Sequence, residues 1–168
     1  MPSQAALAPN TSTIELESPA ATGRLAARIA ALARPGDVIA LSGPLGAGKT
    51  EFARFFIAAL AALEGRAAEE VPSPTFTLVQ SYAFARFTVF HFDLYRMADA
   101  DEVWELGFEE ALAEGVSLIE WPERMGALIP EDRLDIALAL GAGPESRIAT
   151  IVARGSWAAR LAEAELAR

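Results

Sequence analysis

Apolar residues alternate with acids in T-I-E-L-E, residues 13–17, where Ile14 and Leu16 share one side, and this predicts an edge strand. Ser18-Pro19 supplies an N-cap followed by proline at the first helical position. Leu25, Ile29 and Leu32 then mark the buried stripe of a helix that ends near Pro35-Gly36. An apolar run over 37–42 predicts a strand. After a short Gly-rich stretch, Phe52, Phe55, Phe56, Ala59, Leu60 and Leu63 trace the core face of a helix over 51–63. Residues 64–71 are small, polar and acidic and lead into P-S-P-T-F, whose two prolines exclude regular structure, so this is a loop. Strand-like runs over 77–84 and 87–92, separated only by Ala85 and Arg86, predict an antiparallel hairpin. In the second run, period-2 alternation sends Phe90 and Phe92 to one face and Val89, His91 and Asp93 to the other, near the strand end.

Residues 99–114 have a helical, strongly acidic pattern with Val103, Trp104, Leu106, Phe108, Ala111 and Leu112 as apolar positions, and Gly107 splits it into two short helices. The acids read as a solvated face. The run 116–119 predicts a buried parallel strand whose Glu120 emerges at the carboxyl end, where open α/β sheets hold their ligands. Leu134, Ile136, Leu138 and Leu140 alternate, as do Ile148, Thr150 and Val152, with G-A-G-P between them, which predicts a second hairpin. Ser156 is expected to cap a final Ala-rich helix running to Ala167.

A chain of 168 residues that is 52% hydrophobic suits one domain with a sizeable core, expected over 13–168 behind a disordered tail at 1–12. The formal charge of −9 argues against a protein that grips a nucleic-acid backbone by itself, so any RNA contact is expected to run through a partner. With no cysteine, disulfides, thiolate metal sites and cysteine nucleophiles are excluded. No stretch is apolar and long enough to span a bilayer, and residues 1–10 lack the basic start and apolar centre of a secretion signal, so a cytoplasmic location is expected.

The stretch G-P-L-G-A-G-K-T, residues 43–50, adds chemistry to this frame, because it fits a phosphate-binding loop and sits between a predicted strand and a predicted helix. Gly43, Gly46 and Gly48 let the backbone turn its N–H groups inward as a nest for anionic oxygens. Leu45, Ala47 and Glu51 complete the nucleotide-binding stretch. Lys49 is placed to reach the β- and γ-phosphates and Thr50 to ligate Mg²⁺. Lys49 is the only lysine in the chain, which suggests a point-charge role that a planar guanidinium fills poorly. The bland alternative is a Gly-rich turn that only caps a helix. The expected fold is therefore α/β, a P-loop NTPase-like three-layer sandwich around a mixed parallel and antiparallel sheet.

A phosphate loop implies a nucleotide without implying a reaction; that needs a carboxylate for the metal and a group that orients the nucleophile. Glu120 has the position of a Walker B acid, as Mg²⁺ ligand or as base through water, and Asp93 is the second candidate for the same work. Their plain alternatives are a surface glutamate and an Asx turn. Thr75 sits where a switch loop could bring a hydroxyl to Mg²⁺ or the γ-phosphate. His91, the sole histidine, reads as a packed, hydrogen-bonded residue.

The four motifs G-P-L-G-A-G-K-T, V-P-S-P-T-F-T-L-V, H-F-D-L-Y-R and L-I-E-W-P-E, spread over 43–123, resemble the TsaE (YjeE) family of small bacterial P-loop ATPases of tRNA threonylcarbamoyladenosine synthesis. The resemblance implies an ATP/ADP- and Mg²⁺-dependent ATPase that binds the TsaD–TsaB heterodimer and keeps that transferase cycling without itself moving the threonylcarbamoyl group. Carried over, Lys49 and Thr50 hold phosphate and Mg²⁺, Asp93 and Glu120 complete the metal and hydrolytic site, and Thr75 belongs to a switch-like segment. Trp121 matches the family's tryptophan after the acid, while Phe76 stands where the family often has tyrosine. Ser18, Thr22 and Arg147 are the candidates for contacts to the base. A small-molecule kinase is the first rival, but no Arg-rich lid is visible; a GTPase is the second, but its Asn/Thr-Lys-x-Asp segment is ruled out where Lys49 is the only lysine. A nucleotide-dependent binding switch shares every residue named.

Overall fold

The structure is a computed structural model that describes residues 10–164. Four successive apolar residues make β2 (Val38–Ser42) a strand buried on both faces, and it is the middle strand of the sheet. The others are β1 (Thr11–Leu16), β3 (Val79–Ala83), β4 (Thr88–Asp93), β5 (Val116–Glu120), β6 (Leu134–Leu140) and β7 (Arg147–Ala153). They form one seven-stranded sheet of order β1-β7-β6-β2-β5-β4-β3. β2 is parallel to β5 and β6, and β4 is parallel to β5. The hairpins β3–β4 and β6–β7 and the pair β1–β7 are antiparallel. The α/β class and the mixed sheet are thus as the sequence implied.

Alternation along the central strands divides the core in two. Ile39 and Leu41 of β2 and Leu118 of β5 face α1 (Pro19–Leu32) and α2 (Lys49–Leu63), packing with Leu25, Ile29, Phe52 and Phe56. Val38 and Ile119 belong to the opposite face, with Phe92, Phe108 and Met125. There the cover is α3 (Phe108–Glu114) and two 3₁₀ segments, Ala100–Leu106 and Pro122–Leu128, so the acidic stretch does break at Gly107, though its first half is 3₁₀. Each fully buried aromatic or large aliphatic side chain contributes about 1.5–3 kcal/mol.

Three local expectations are corrected. β1 begins at Thr11, so residues 11 and 12, assigned to the tail, pair with Val152 and Ile151 of β7; a free sheet edge outweighs their polarity. Residues 1–9 lie outside the described residues. β3 starts at Val79 and not at 77, because Leu78 adopts a φ of 65° and donates its N–H to the Pro74 carbonyl. Ser156 does not cap α4 (Ser156–Glu163): Gly155 holds that place, and Asp132 Oδ1 accepts from both the Ser156 N–H and its hydroxyl at 3.1 Å. The end expected at Ala167 lies outside the described residues.

α4 is fastened by a buried ion pair that periodicity does not reveal. Arg160 donates to both oxygens of Asp37, at 2.6 and 2.7 Å, and its guanidinium lies 3.9 Å from the Trp157 ring centroid. Among the described residues no helix is long and apolar enough to cross a membrane.

Candidate functional site

The site is built where β2 turns into α2. At Gly43 φ is 138° and an added Cβ would collide with the Leu138 carbonyl of β6, so only glycine lets the loop leave the strand there. Gly48, at φ 102°, is the N-cap of α2 and turns the chain into the helix. The loop is braced from β7: Arg147 Nε donates to the Ala47 carbonyl at 3.1 Å and Nη2 to the Gly46 carbonyl at 3.2 Å.

Lys49 is buried in the first turn of α2, where Nζ donates to the carbonyls of Gly43 at 2.6 Å and Pro44 at 2.8 Å and sits 4.1 Å from the Trp121 ring centroid. Burial pulls its pKa below the usual lysine range, and the carboxylates of Glu120, Glu123 and Asp93 oppose that shift. Those carboxylates thus favour the charged ammonium that burial disfavours.

Two of them, Asp93 and Glu120, arrive from β4 and β5. The parallel register sets Asp93 opposite Glu120, and both are buried at the carboxyl ends of their strands on the side of α2. The Thr50 hydroxyl lies 2.8 Å from Glu120 Oε1 and 3.1 Å from Oε2, and His91 Nε2 lies 2.7 Å from Oε2. Asp93 Oδ2 accepts from the Thr75 hydroxyl at 3.2 Å, and Oδ1 accepts from the Tyr95 N–H at 3.1 Å. Ser73 and Thr75 share a further hydroxyl–hydroxyl hydrogen bond of 2.7 Å.

A cleft of about 440 Å³ lies between these groups. Leu45, Gly46, Gly48, Lys49, Thr50 and Glu51 form one wall, and Thr75, Asp93, Glu120 and Arg147 come to it from other parts of the chain. A smaller adjoining cleft of about 160 Å³ is lined by Thr22, Ala47 and Arg147 among others. Ser18 lines neither: its hydroxyl accepts from the Ala21 N–H at 3.2 Å as the cap of α1.

Sequence patterns missed several groups here. Ser73, Tyr95 and Arg96 also line the larger cleft, Arg96 stacking on Phe76 with 4.6 Å to the ring centroid. The contact from His91 to Glu120 was missed too, although its place two residues before Asp93 on one strand face was a usable signal.

The oxygens of Thr50, Asp93 and Glu120 are the hard ligands that suit Mg²⁺. Among the described residues no three acidic, histidine or cysteine side chains converge as a metal cage.

The fold and site together define an α/β protein in which a glycine-rich strand-to-helix loop faces two carboxylates at the ends of the next two strands. The sequence profile of the family described as threonylcarbamoyl adenosine biosynthesis protein TsaE matches residues 16–148, and the chain belongs to that family. The Bacillus subtilis protein named tRNA threonylcarbamoyladenosine biosynthesis protein TsaE is 38% identical over 152 residues, which cover 90% of each chain. The protein of the same name from Rickettsia conorii is 40% identical over 123 residues, 73% of this chain and 68% of its own. A crystal structure of Bacillus subtilis YdiB is similar with a TM-score of 0.73 and 30% identity, covering 93% of this chain and 95% of that one.

Proposed function

We propose that this chain is the Mg²⁺-dependent ATP-binding and ATP-hydrolysing component of the tRNA threonylcarbamoyladenosine machinery, acting in support of a TsaD–TsaB transferase heterodimer. Membership of the TsaE family and the names of its relatives support the pathway. The observation that carries the nucleotide reading is the meeting of Lys49, the Thr50–Glu120 hydrogen bond and the Thr75–Asp93 hydrogen bond on one cleft.

On this reading the loop N–H groups and the N-terminus of α2 receive the phosphates. Lys49 exchanges the carbonyls of Gly43 and Pro44 for the β- and γ-phosphate oxygens, and Thr22 and Arg147 line the neighbouring cleft for the base. Thr50, with Asp93 and Glu120, would hold Mg²⁺, which when bound neutralises charge on the β- and γ-phosphates. Glu120 or Asp93 orients the attacking water by accepting its hydrogen. The products are ADP and phosphate.

Several features favour partner dependence. Phe76 is 83% exposed beside the cleft, and Thr75 reaches Asp93 from a loop without regular structure. The net charge of −9 supports tRNA contact only through the partners. A tRNA-modifying role supports a cytoplasmic location. Single-turnover ATP hydrolysis, measured for the chain alone and with purified TsaD and TsaB, tests the proposal: slow turnover alone and faster turnover with both partners is the expected result. Nucleotide binding with no turnover in either condition would make the chain a binding switch instead.

A further inference from the structure

The β4–β5 register sets His91 opposite Leu118, two residues before Glu120 on the face that points towards α2. His91 is fully buried, with Nε2 2.7 Å from Glu120 Oε2 and a buried Nδ1 that has no hydrogen-bond partner among the described residues. A neutral imidazole carries one N–H, and here only Nε2 faces an acceptor; a hydrogen on Nδ1 would be a buried donor with nothing to receive it. We propose that His91 is the positioning residue of the site, held as the Nε2–H tautomer, and that its donation to Glu120 orients the carboxylate which in turn takes the Thr50 hydroxyl hydrogen.

The consequence falls on Thr50. Its hydroxyl has a single hydrogen, and with that committed to Glu120 at 2.8 Å only lone pairs remain for the cleft, which is the form a cation ligand requires. A carboxylate is otherwise free to turn, because its terminal torsion has only a broad, shallow preference. Donors on both oxygens, Thr50 at Oε1 and His91 at Oε2, hold it in one plane. The tautomer follows from the geometry alone; its effect on Mg²⁺ and hydrolysis rests on the function proposed above.

His91 is the only histidine in the chain, so its ring nitrogens are identified without mutants in a long-range ¹H–¹⁵N correlation spectrum of the ¹⁵N-labelled full chain. The neutral Nε2–H pattern is expected, and an Nδ1–H pattern overturns the proposal. His91→Gln keeps an N–H donor near the position of Nε2, whereas His91→Phe keeps the ring without the donor. ADP affinity without Mg²⁺ should be unchanged in both. His91→Phe should reduce the gain in ATP affinity on adding Mg²⁺ and lower the single-turnover rate by about 10- to 100-fold, with most of both recovered in His91→Gln. Equal losses in the two variants, or wild-type behaviour in His91→Phe, overturn the positioning role. Should His91→Phe fail to fold by circular dichroism, the spectrum of the wild-type chain and the Mg²⁺ response of His91→Gln still decide the matter. A wild-type chain that binds no nucleotide while showing the Nε2–H pattern overturns the proposed function and upholds the tautomer.

Discussion

The Thr50 hydroxyl and the Glu120 carboxylate stand seventy residues apart in the chain and meet at 2.8 Å. β2 and β5 are neighbours with Leu41 opposite Glu120, so the end of one strand and the first turn of the helix after the other converge. A change at Glu120 is therefore transmitted to Thr50. Glu120→Gln keeps the shape but removes the negative charge to which the proposed function assigns activation of metal or water. ADP affinity by calorimetry should be close to that of the wild type while single-turnover hydrolysis slows. Wild-type turnover in this variant would move the hydrolytic role to Asp93.

Lys49→Ala should weaken ADP binding by one to two decades, since a charge-assisted contact to phosphate contributes about 1.5–3 kcal/mol. Lys49→Arg should not restore it, because a planar guanidinium does not match a site that holds an ammonium between two carbonyls and the Trp121 ring. Unchanged ADP binding in the alanine variant would remove the phosphate-loop assignment.

Asp37→Ala should lower stability without touching the site. The substitution leaves the Arg160 guanidinium buried without its carboxylate, which costs about 3–5 kcal/mol. Asp37 precedes β2 at the end of that strand opposite the Gly-rich loop, so ADP affinity at low temperature should be retained. Urea unfolding gives the first quantity and calorimetry the second; a wild-type urea midpoint would show that the pair adds nothing.

Thr75→Ala should slow hydrolysis more than it weakens ADP binding, because the Thr75 hydroxyl is hydrogen-bonded to Asp93. The loop over 64–76 is anchored by Arg54 Nε donating to the Val71 carbonyl at 2.8 Å and by Thr75 at Asp93. Docking on a TsaD–TsaB heterodimer should protect it from proteolysis, with ATP present, while raising the hydrolysis rate. If nicking and rate both stay flat as the partners are titrated, and no complex is pulled down, partner dependence is refuted.

Much of this protein is legible in its sequence. The Gly-rich loop with Lys49 and Thr50, the alternation that sends His91 and Asp93 to one face, the apolar strand ending in Glu120 and the break at Gly107 all follow from steric and hydration preferences of residues close in the chain. The tertiary structure alone decided that β2 lies between β5 and β6 and that Asp93 stands opposite Glu120. It also decided that His91 meets Glu120 across 29 residues and that Arg160 meets Asp37 across 123. It replaced Ser156 by Gly155 and Asp132 at the start of α4, gave the Ser18 hydroxyl to a helix cap, and drew Thr11 and Ser12 into the sheet. Periodicity states which face of an element is buried. Strand order and register set which side chains on that face touch, and these emerge only when every element packs at once, because each partner lies too far along the chain for any local pattern to encode it.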